Sequence, residues 1–381
     1  MDNANPPVLP AAEGPPPALP PPLPPVAPPP PPQARRSGRG WKWAAIILFI
    51  LLVVSGLNNI RYLVRDWFGA GARTGETSRP RLQEVVLEDH DAEDKIAVVD
   101  IEGIISGGLL DTGEHDVVSD VAHQLERARD DGDVKGVLLR VDSPGGEVLA
   151  ADQINRAIAE YERKTGKPVV ASMGGLAASG GYYVAAPCQW IVANELTITG
   201  SIGVIMHGLN YRGLMDKLGL RPEVYKSGKF KDMMSGERSL EETPPEERQM
   251  VQGLIDEAFS RFKQVVAEGR NKANQLNHGK GRALAANWQN YADGRVLSGR
   301  QAYDMGFVDE LGDFKTAVAR IKRLANLSKA NLIQYEQPFD FGNLLRLLGQ
   351  SEGRTLKLDW GAEGPKLQLG RMYFLFLPGL R

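Results

Sequence analysis

From about Lys95 onward, short uninterrupted apolar runs alternate with longer stretches whose apolar residues recur at helical spacing. Lys95 to Ile101 (KIAVVDI), Gly136 to Val141 (GVLLRV), Pro168 to Met173 (PVVASM) and Gln189 to Ala193 (QWIVA) have the continuity of strands buried on both faces. Between them, Val117 to Arg129 and Val148 to Arg163 follow a helical period, as with Val121, Leu125 and Ala128. This alternation predicts an α/β domain built on a mostly parallel sheet. Residues 243 to 270 predict one long helix, with Thr243 as N-cap, Pro244 at the first helical position and Glu246 completing a capping box. Its stripe of Met250, Leu254, Ala258, Phe262 and Val265 faces a core or a second subunit. Beyond about residue 330, LKLDW and MYFLFL read as strands or as a tail docked on an apolar surface.

Upstream the pattern is of another kind. Residues 1 to 32 hold 16 of the 26 prolines and two charges, Asp2 and Glu13, so residues 1–40 predict a disordered polyproline II tail, a spacer in preference to a docking ligand. Arg35, Arg36, Arg39 and Lys42 lead into the uncharged run Trp43 to Leu57. That run is short for a membrane span, and the alternative is the core of a cleavable signal peptide. Extended to Tyr62, with Arg61 reaching the far interface, it attains roughly 20 residues. Aromatic residues (Trp41, Trp43, Tyr62) edge it, and no clear small-x-small cleavage site follows. The expectation is a retained single-pass anchor over 41–64 and a linker over 65–94. The basic residues before the run, against Arg61 and Arg65 after it, point the N-terminus to the cytoplasm and the rest outside.

Composition removes several function classes. With 42% hydrophobic residues among 381, the chain can bury a real core. Lys and Arg number 45 against 47 Asp and Glu, for a net charge of -2, which argues against a nucleic-acid partner. A single cysteine, Cys188, excludes an intrachain disulfide, and the five histidines (His90, His115, His123, His207, His278) lack ligand-like spacing. Neither a metal nor a cofactor is expected. Cys188, in A-A-P-C-Q-W, has no basic neighbour and reads as a small core residue.

Three glycine-rich stations lie at or just after the ends of the predicted strands: Asp142 to Gly146 (DSPGG), Gly174 to Gly181 (GGLAASGG) and Thr199 to Gly203 (TGSIG). Ligands of open α/β sheets bind beyond the carboxyl ends of strands, and glycine there admits a close backbone approach. A strand, a turn and a helix starting near Ser179 would set its hydroxyl at a helix N-terminus, with the amides of Gly180 and Gly146 converging on a developing oxyanion. Each station taken singly is also explained by tight packing. No strict G-x-G-x-x-G opens a helix, so a dinucleotide site fits poorly, and A-A-S-G-G is not a G-x-S-x-G elbow. A serine nucleophile needs a base. Lys226, Lys229 and Lys231, beside Phe230, Met233 and Met234, are three candidates that composition does not separate.

Taken together, DSPGG, MGGLAASGGYY, LTITGSIGVIM, the KSGKFKD stretch and DGRVLSGRQA (Asp293 to Ala302) make residues 95 to 325 resemble the bacterial signal peptide peptidase SppA family in its short, single-copy, membrane-anchored form. The resemblance implies a fold related to Clp protease and the crotonases, and a Ser/Lys dyad that cleaves peptide bonds. By position it makes Ser179 the nucleophile, Lys231 the general base, Gly146 and Gly180 the oxyanion-hole residues, and Ser201 the hydroxyl that orients the lysine. It also implies peptide substrates such as signal peptides, and a homo-oligomeric ring in which Lys231 serves a neighbour's Ser179. The proline tail and the extension over 326–381 lie outside the family pattern. Rival readings are a Ser/His arrangement with His207, a crotonase-like acyl-CoA enzyme without a serine nucleophile, and a membrane-tethered scaffold. An alkaline pH dependence separates lysine from histidine, labelling by a serine-directed probe excludes the second, and a peptidase assay decides the third.

Overall fold

The computed structural model describes residue 48 and residues 82–107, 116–337 and 372–376. The chain divides into two compact units, Met1–Thr77 and Ser78–Arg381. Of the first only Leu48 is described, so the expected tail over 1–40 and nearly all of the expected anchor over 41–64 lie outside the described residues. Among the described residues no helix is long and apolar enough to cross a membrane.

The second unit is a mixed α/β structure dominated by one sheet. Its central strands are β2 (Lys95–Ile105), β3 (Val134–Glu147), β4 (Val169–Ala178) and β5 (Trp190–Ala193), all parallel to one another. On one side β10 (Asn331–Glu336) runs parallel to β2, and β1 (Gln83–Glu88) pairs antiparallel with β10. On the other, β9 (Glu310–Leu311) joins β5. The sheet therefore extends past the expected 95–325 at both ends. Two side branches carry β6 (Ile198–Gly200) with β8 (Val296–Ser298), and β7 (Ile205–Met206) with β11 (Met372–Leu375).

Alternation along each central strand gives the sheet two apolar faces. Ala97, Val99, Val137, Leu139, Val169 and Ala171 face one core cluster, and Ile96, Val98, Leu138, Val170 and Val192 face the other. The first cluster is closed by α1 (Val117–Asp130) through Val121, Leu125 and Ala128, and by α2 (Val148–Thr165) through Ile154 and Ile158. The second is closed by α6 (Phe314–Leu324) through Ala317 and Ile321. Asp116 starts α1 by accepting from the amides of Val118 and Ser119, and Gly166, at φ +67°, ends α2 in the left-handed conformation that glycine adopts without penalty.

The long helix, α5 (Pro245–Leu276), corrects the expected start and length. Pro244 is the N-cap and Pro245 the first helical residue, because Thr243 donates its hydroxyl to the Ser239 carbonyl (3.2 Å) instead of capping. Glu246 pairs with Lys229 rather than closing a capping box. Ala258, Phe262 and Val265 are buried, whereas Met250 and Leu254 at the N-terminal half stay exposed. A buried ion pair ties the helix to the sheet: Arg270 reaches Asp309, which also accepts from the Ile191 amide at 2.8 Å. Cys188 lies in the core between them, and burial pushes its thiol well above the ordinary value, in keeping with an inert packing role.

Candidate functional site

The glycine stations belong to strands that run further than their apolar cores. β2, β3 and β4 continue past those cores because their backbones go on pairing, Ile105 with Gly146 and Ser143 with Ala177. The Ser143 hydroxyl donates to the Gly103 carbonyl (2.6 Å) and accepts from the Gly145 amide (3.0 Å), bracing the DSPGG turn from within. Asp142 accepts from the Leu176 amide at 3.0 Å and ties the first station to the second. Gly146 is obligatory here, since a Cβ would fall 1.9 Å from the Ile105 carbonyl oxygen.

Ser179 lies in the turn between β4 and α3 (Gly180–Ala185), buried, with φ +55° and ψ −116°. A non-glycine residue in that region carries about 1–3 kcal/mol of backbone strain and persists only where its surroundings enforce it. The Ser179 amide donates to the Gly200 carbonyl (2.9 Å), and its own carbonyl accepts from Tyr183 (2.8 Å). The side chain is not spent on capping α3. The serine thus stands on a strained strand-to-helix turn, the geometry of a nucleophile elbow, although the G-x-S-x-G pattern that signals it in sequence is missing.

The structure brings Gly146 and Gly180 to this turn. A Cβ built on Gly180 would lie 3.0 Å from the Gly146 nitrogen, and one on Gly145 would lie 2.6 Å from the Gly180 nitrogen. Ser201 follows on the adjoining strand, where Ala178 pairs with Gly200. It is buried at φ +51°, and its amide donates to the Arg295 carbonyl at 2.8 Å. Arg295 in turn holds Asp293, whose carboxyl is lowered to about 2 chiefly by that hydrogen bond.

The lysines are placed differently. Lys226 pairs with Asp232 (2.9 Å) and Lys229 with Glu246 (3.4 Å), whereas the Lys231 ammonium makes no hydrogen bond or ion pair among the described residues. Lys231 is exposed, and among the described residues it makes no hydrogen bond to Ser179. His207 is exposed too and makes no bond to Ser179 among the described residues.

Beside the Gly146 station opens a cleft of about 1030 Å³, with Val148, Leu149, Tyr183, Leu254 and Ala258 among its walls. Sequence reasoning did not find this cleft. Nor did it place the C-terminal strand β11, whose Phe374 backbone pairs with Gly146. The run MYFLFL was the available signal, but its position depends on contacts with residues far away in the chain.

Residues 161–328 match the pattern that defines peptidase family S49. A protein of Enterococcus faecium named as a signal peptide peptidase SppA is 37% identical over 262 residues, 67% of this chain and 71% of that one. A protein of Synechocystis named as a protease is 37% identical over 275 residues, 70% of this chain and 90% of its own length. Protease 4 of Haemophilus influenzae is 34% identical over 249 residues, 65% of this chain and 38% of that longer protein. Because the likeness spans nearly the whole of a relative, the chain belongs to peptidase family S49, the SppA family of serine peptidases.

Proposed function

We propose that the chain is a membrane-anchored endopeptidase that degrades cleaved signal peptides and other unfolded apolar peptides, using Ser179 as nucleophile and Lys231 as general base on a fold of the Clp protease and crotonase kind. The observation that carries the reading is the strained Ser179 turn, with Gly146 and Gly180 crowded against it. In the mechanism, a neutral lysine amine takes the Ser179 proton, the oxygen attacks a peptide carbonyl, and the Gly146 and Gly180 amides hold the oxyanion. The amine leaves with the proton taken from Ser179, and water, activated by the same lysine, releases the acyl group. Lys231 is favoured over its neighbours because the Lys226 and Lys229 amines are already engaged by carboxylates, Asp232 and Glu246. Ser201, just past the end of the strand beside the nucleophile, is the residue proposed to orient the lysine.

The dyad is completed across subunits in this proposal. Ser179 is buried within its own chain while Lys231 is exposed on a segment that also exposes Leu209, Leu214, Leu218 and Tyr225. A patch of that kind on a soluble domain marks a protein interface. A neighbour packed there in a ring would dry the site and bring the amine to the serine. The uncharged run over 43–57 and its basic flank support anchoring with the catalytic unit outside the cytoplasm. The apolar cleft beside Gly146 supports an extended apolar substrate.

The test is to treat the full chain in detergent with a serine-directed phosphonate and to assay a synthetic signal peptide beside a charged peptide of equal length. Labelling confined to Ser179 with faster cleavage of the signal peptide is expected. Labelling elsewhere, or equal rates on both peptides, would remove the assignment.

A further inference from the structure

Lys231 sits on a segment with no secondary structure of its own. Between residues 218 and 244 the backbone forms turns but neither helix nor strand, and the Lys231 amide donates to the Gly228 carbonyl three residues back (3.2 Å). Met234, three residues on, has φ +64°, a left-handed conformation that a residue with a long side chain keeps where its surroundings enforce it.

The enforcing group is Glu247, in the first turn of α5. It is 3% exposed, and from Pro245 to Glu257 no other residue of that helix is buried. A glutamate is almost never fully buried unless it is paired. This one accepts from the Met234 amide (2.7 Å) and forms an ion pair with Arg238. Arg238 also approaches Asp232 (3.6 Å), the residue after Lys231, which Lys226 holds from the other side at 2.9 Å. One buried carboxylate thus ties positions 232, 234 and 238 to the helix, while Lys231 itself stays exposed. Further along α5, Phe262 packs edge-on against Tyr183 (centroids 5.0 Å apart), whose amide donates to the Ser179 carbonyl. One helix therefore anchors both the lysine segment and the turn of the chain's own serine, at points about 22 Å apart along its axis.

We propose that Glu247 is a positioning residue for the general base: it fixes the Lys231 segment to α5 through the Met234 amide and Arg238, so that the amine meets a neighbour's Ser179 in one orientation. The inference rests on the reading of Lys231 as a base supplied across a subunit interface. Lysine carries its amine on a flexible four-carbon stem, so a backbone fixed in advance removes much of the ordering that proton transfer would otherwise require. Without the carboxylate, Met234 loses the bond that holds its backbone and Arg238 loses its buried partner. The segment has no ladder or helical turn to replace them.

The test assembles the full chain in detergent from two inactive subunits in equal amounts. Ser179→Ala with Lys231→Ala is the reference, in which every active site joins a lysine of the first to a serine of the second. Glu247→Gln placed on the Ser179→Ala subunit should lower kcat for a synthetic signal peptide about a hundredfold and leave KM unchanged. Placed on the Lys231→Ala subunit it should leave the reference rate, because those subunits supply no lysine. Both mixtures hold the same share of altered segments, so a fault in folding or assembly would depress the two alike. Equal losses in both, no loss in either, or a loss carried by KM overturns the proposal. An inactive reference beside an active native protein refutes the shared dyad, and this proposal with it. A native protein that cleaves no peptide removes the peptidase assignment itself.

Discussion

The two halves of the proposed dyad belong to regions of opposite character. Ser179 is 1% exposed, at the end of a central strand, with Tyr182 and Tyr183 buried just behind it. Burial raises both phenols far above their ordinary values, and their hydroxyls donate to the Phe307 carbonyl (Tyr182) and to Asp152 (Tyr183). Lys231 lies in a stretch whose large apolar residues face outward, Leu218 at 64% and Tyr225 at 87% exposed. Within that stretch the only helix, α4 (Arg212–Lys217), buries no residue. The nucleophile side is built by folding of one chain, whereas the base side offers a surface for something else to finish.

The largest expected effect breaks that division directly. Ser179→Ala and Lys231→Ala should each abolish peptidase activity while the fold persists, and Lys226→Ala and Lys229→Ala should keep much of it. Refolded together in equal amounts, the two inactive variants should recover about one quarter of the native activity, since a ring interface pairs an intact serine with a neighbour's intact lysine in that share of sites. A mixture that stays inactive while rings form would place the lysine in the same chain as its serine.

Next in size are substitutions on the rigid side. Gly146→Ala sets a Cβ 1.9 Å from a strand carbonyl, so the sheet must part and stability should fall by about 3 kcal/mol. Gly175→Ala, where nothing lies within 4 Å, should be neutral within about 0.5 kcal/mol in the same denaturant titration. Similar losses for both would mean that the station is not held as tightly as its packing indicates.

Arg270→Met leaves Asp309 as an uncompensated buried charge and should cost about 3–5 kcal/mol in urea unfolding. Its effect on the catalytic constants of the folded protein should be slight, because Arg270 and Asp309 pair with each other and with the Ala186, Cys188 and Ile191 backbone rather than with either residue of the proposed dyad. A loss of kcat without a loss of stability would couple α5 to the chemistry.

The smallest effect concerns the loop that holds Ser201. Hydrogen bonding from Arg295 lowers the Asp293 carboxyl from 3.8 to about 2. A depressed carboxylate contributes stability above its unfolded value and loses it as pH falls through the folded one. Asp293→Asn should therefore match the native protein in stability below about pH 2 and fall slightly short of it near neutrality, with the gap closing between about pH 4 and 2. Because the carboxylate is exposed, a constant difference across this range would assign the loop's order to the backbone bond between Ser201 and Arg295 alone.

Much of the fold was legible in local pattern. Val121, Leu125 and Ala128 on a helical period, and KIAVVDI or GVLLRV without a polar break, determine helix and buried strand because burial of one face or of two imposes those periods. The glycine stations were legible as well, since only close backbone approach asks for glycine three times at strand ends. The N-cap of α5 was misplaced by one residue because two consecutive prolines and a threonine offer competing starts, and only the Ser239 carbonyl settles which side chain is free.

What the chain's own letters determined, then, was which residues form the central strands and the helices packed on them. The tertiary structure alone decided that the serine turn is strained, that Gly180 abuts Gly146, and that β11 enters between β3 and β7. These depend on backbones distant in the chain, from Ser179 and Gly200 at the serine turn to Phe374 and Gly146 across most of the sheet. No local period records such a pairing. It follows from which edge of the sheet remains unpaired once the nearer elements have packed, and that is a property of the assembled backbone rather than of any segment within it.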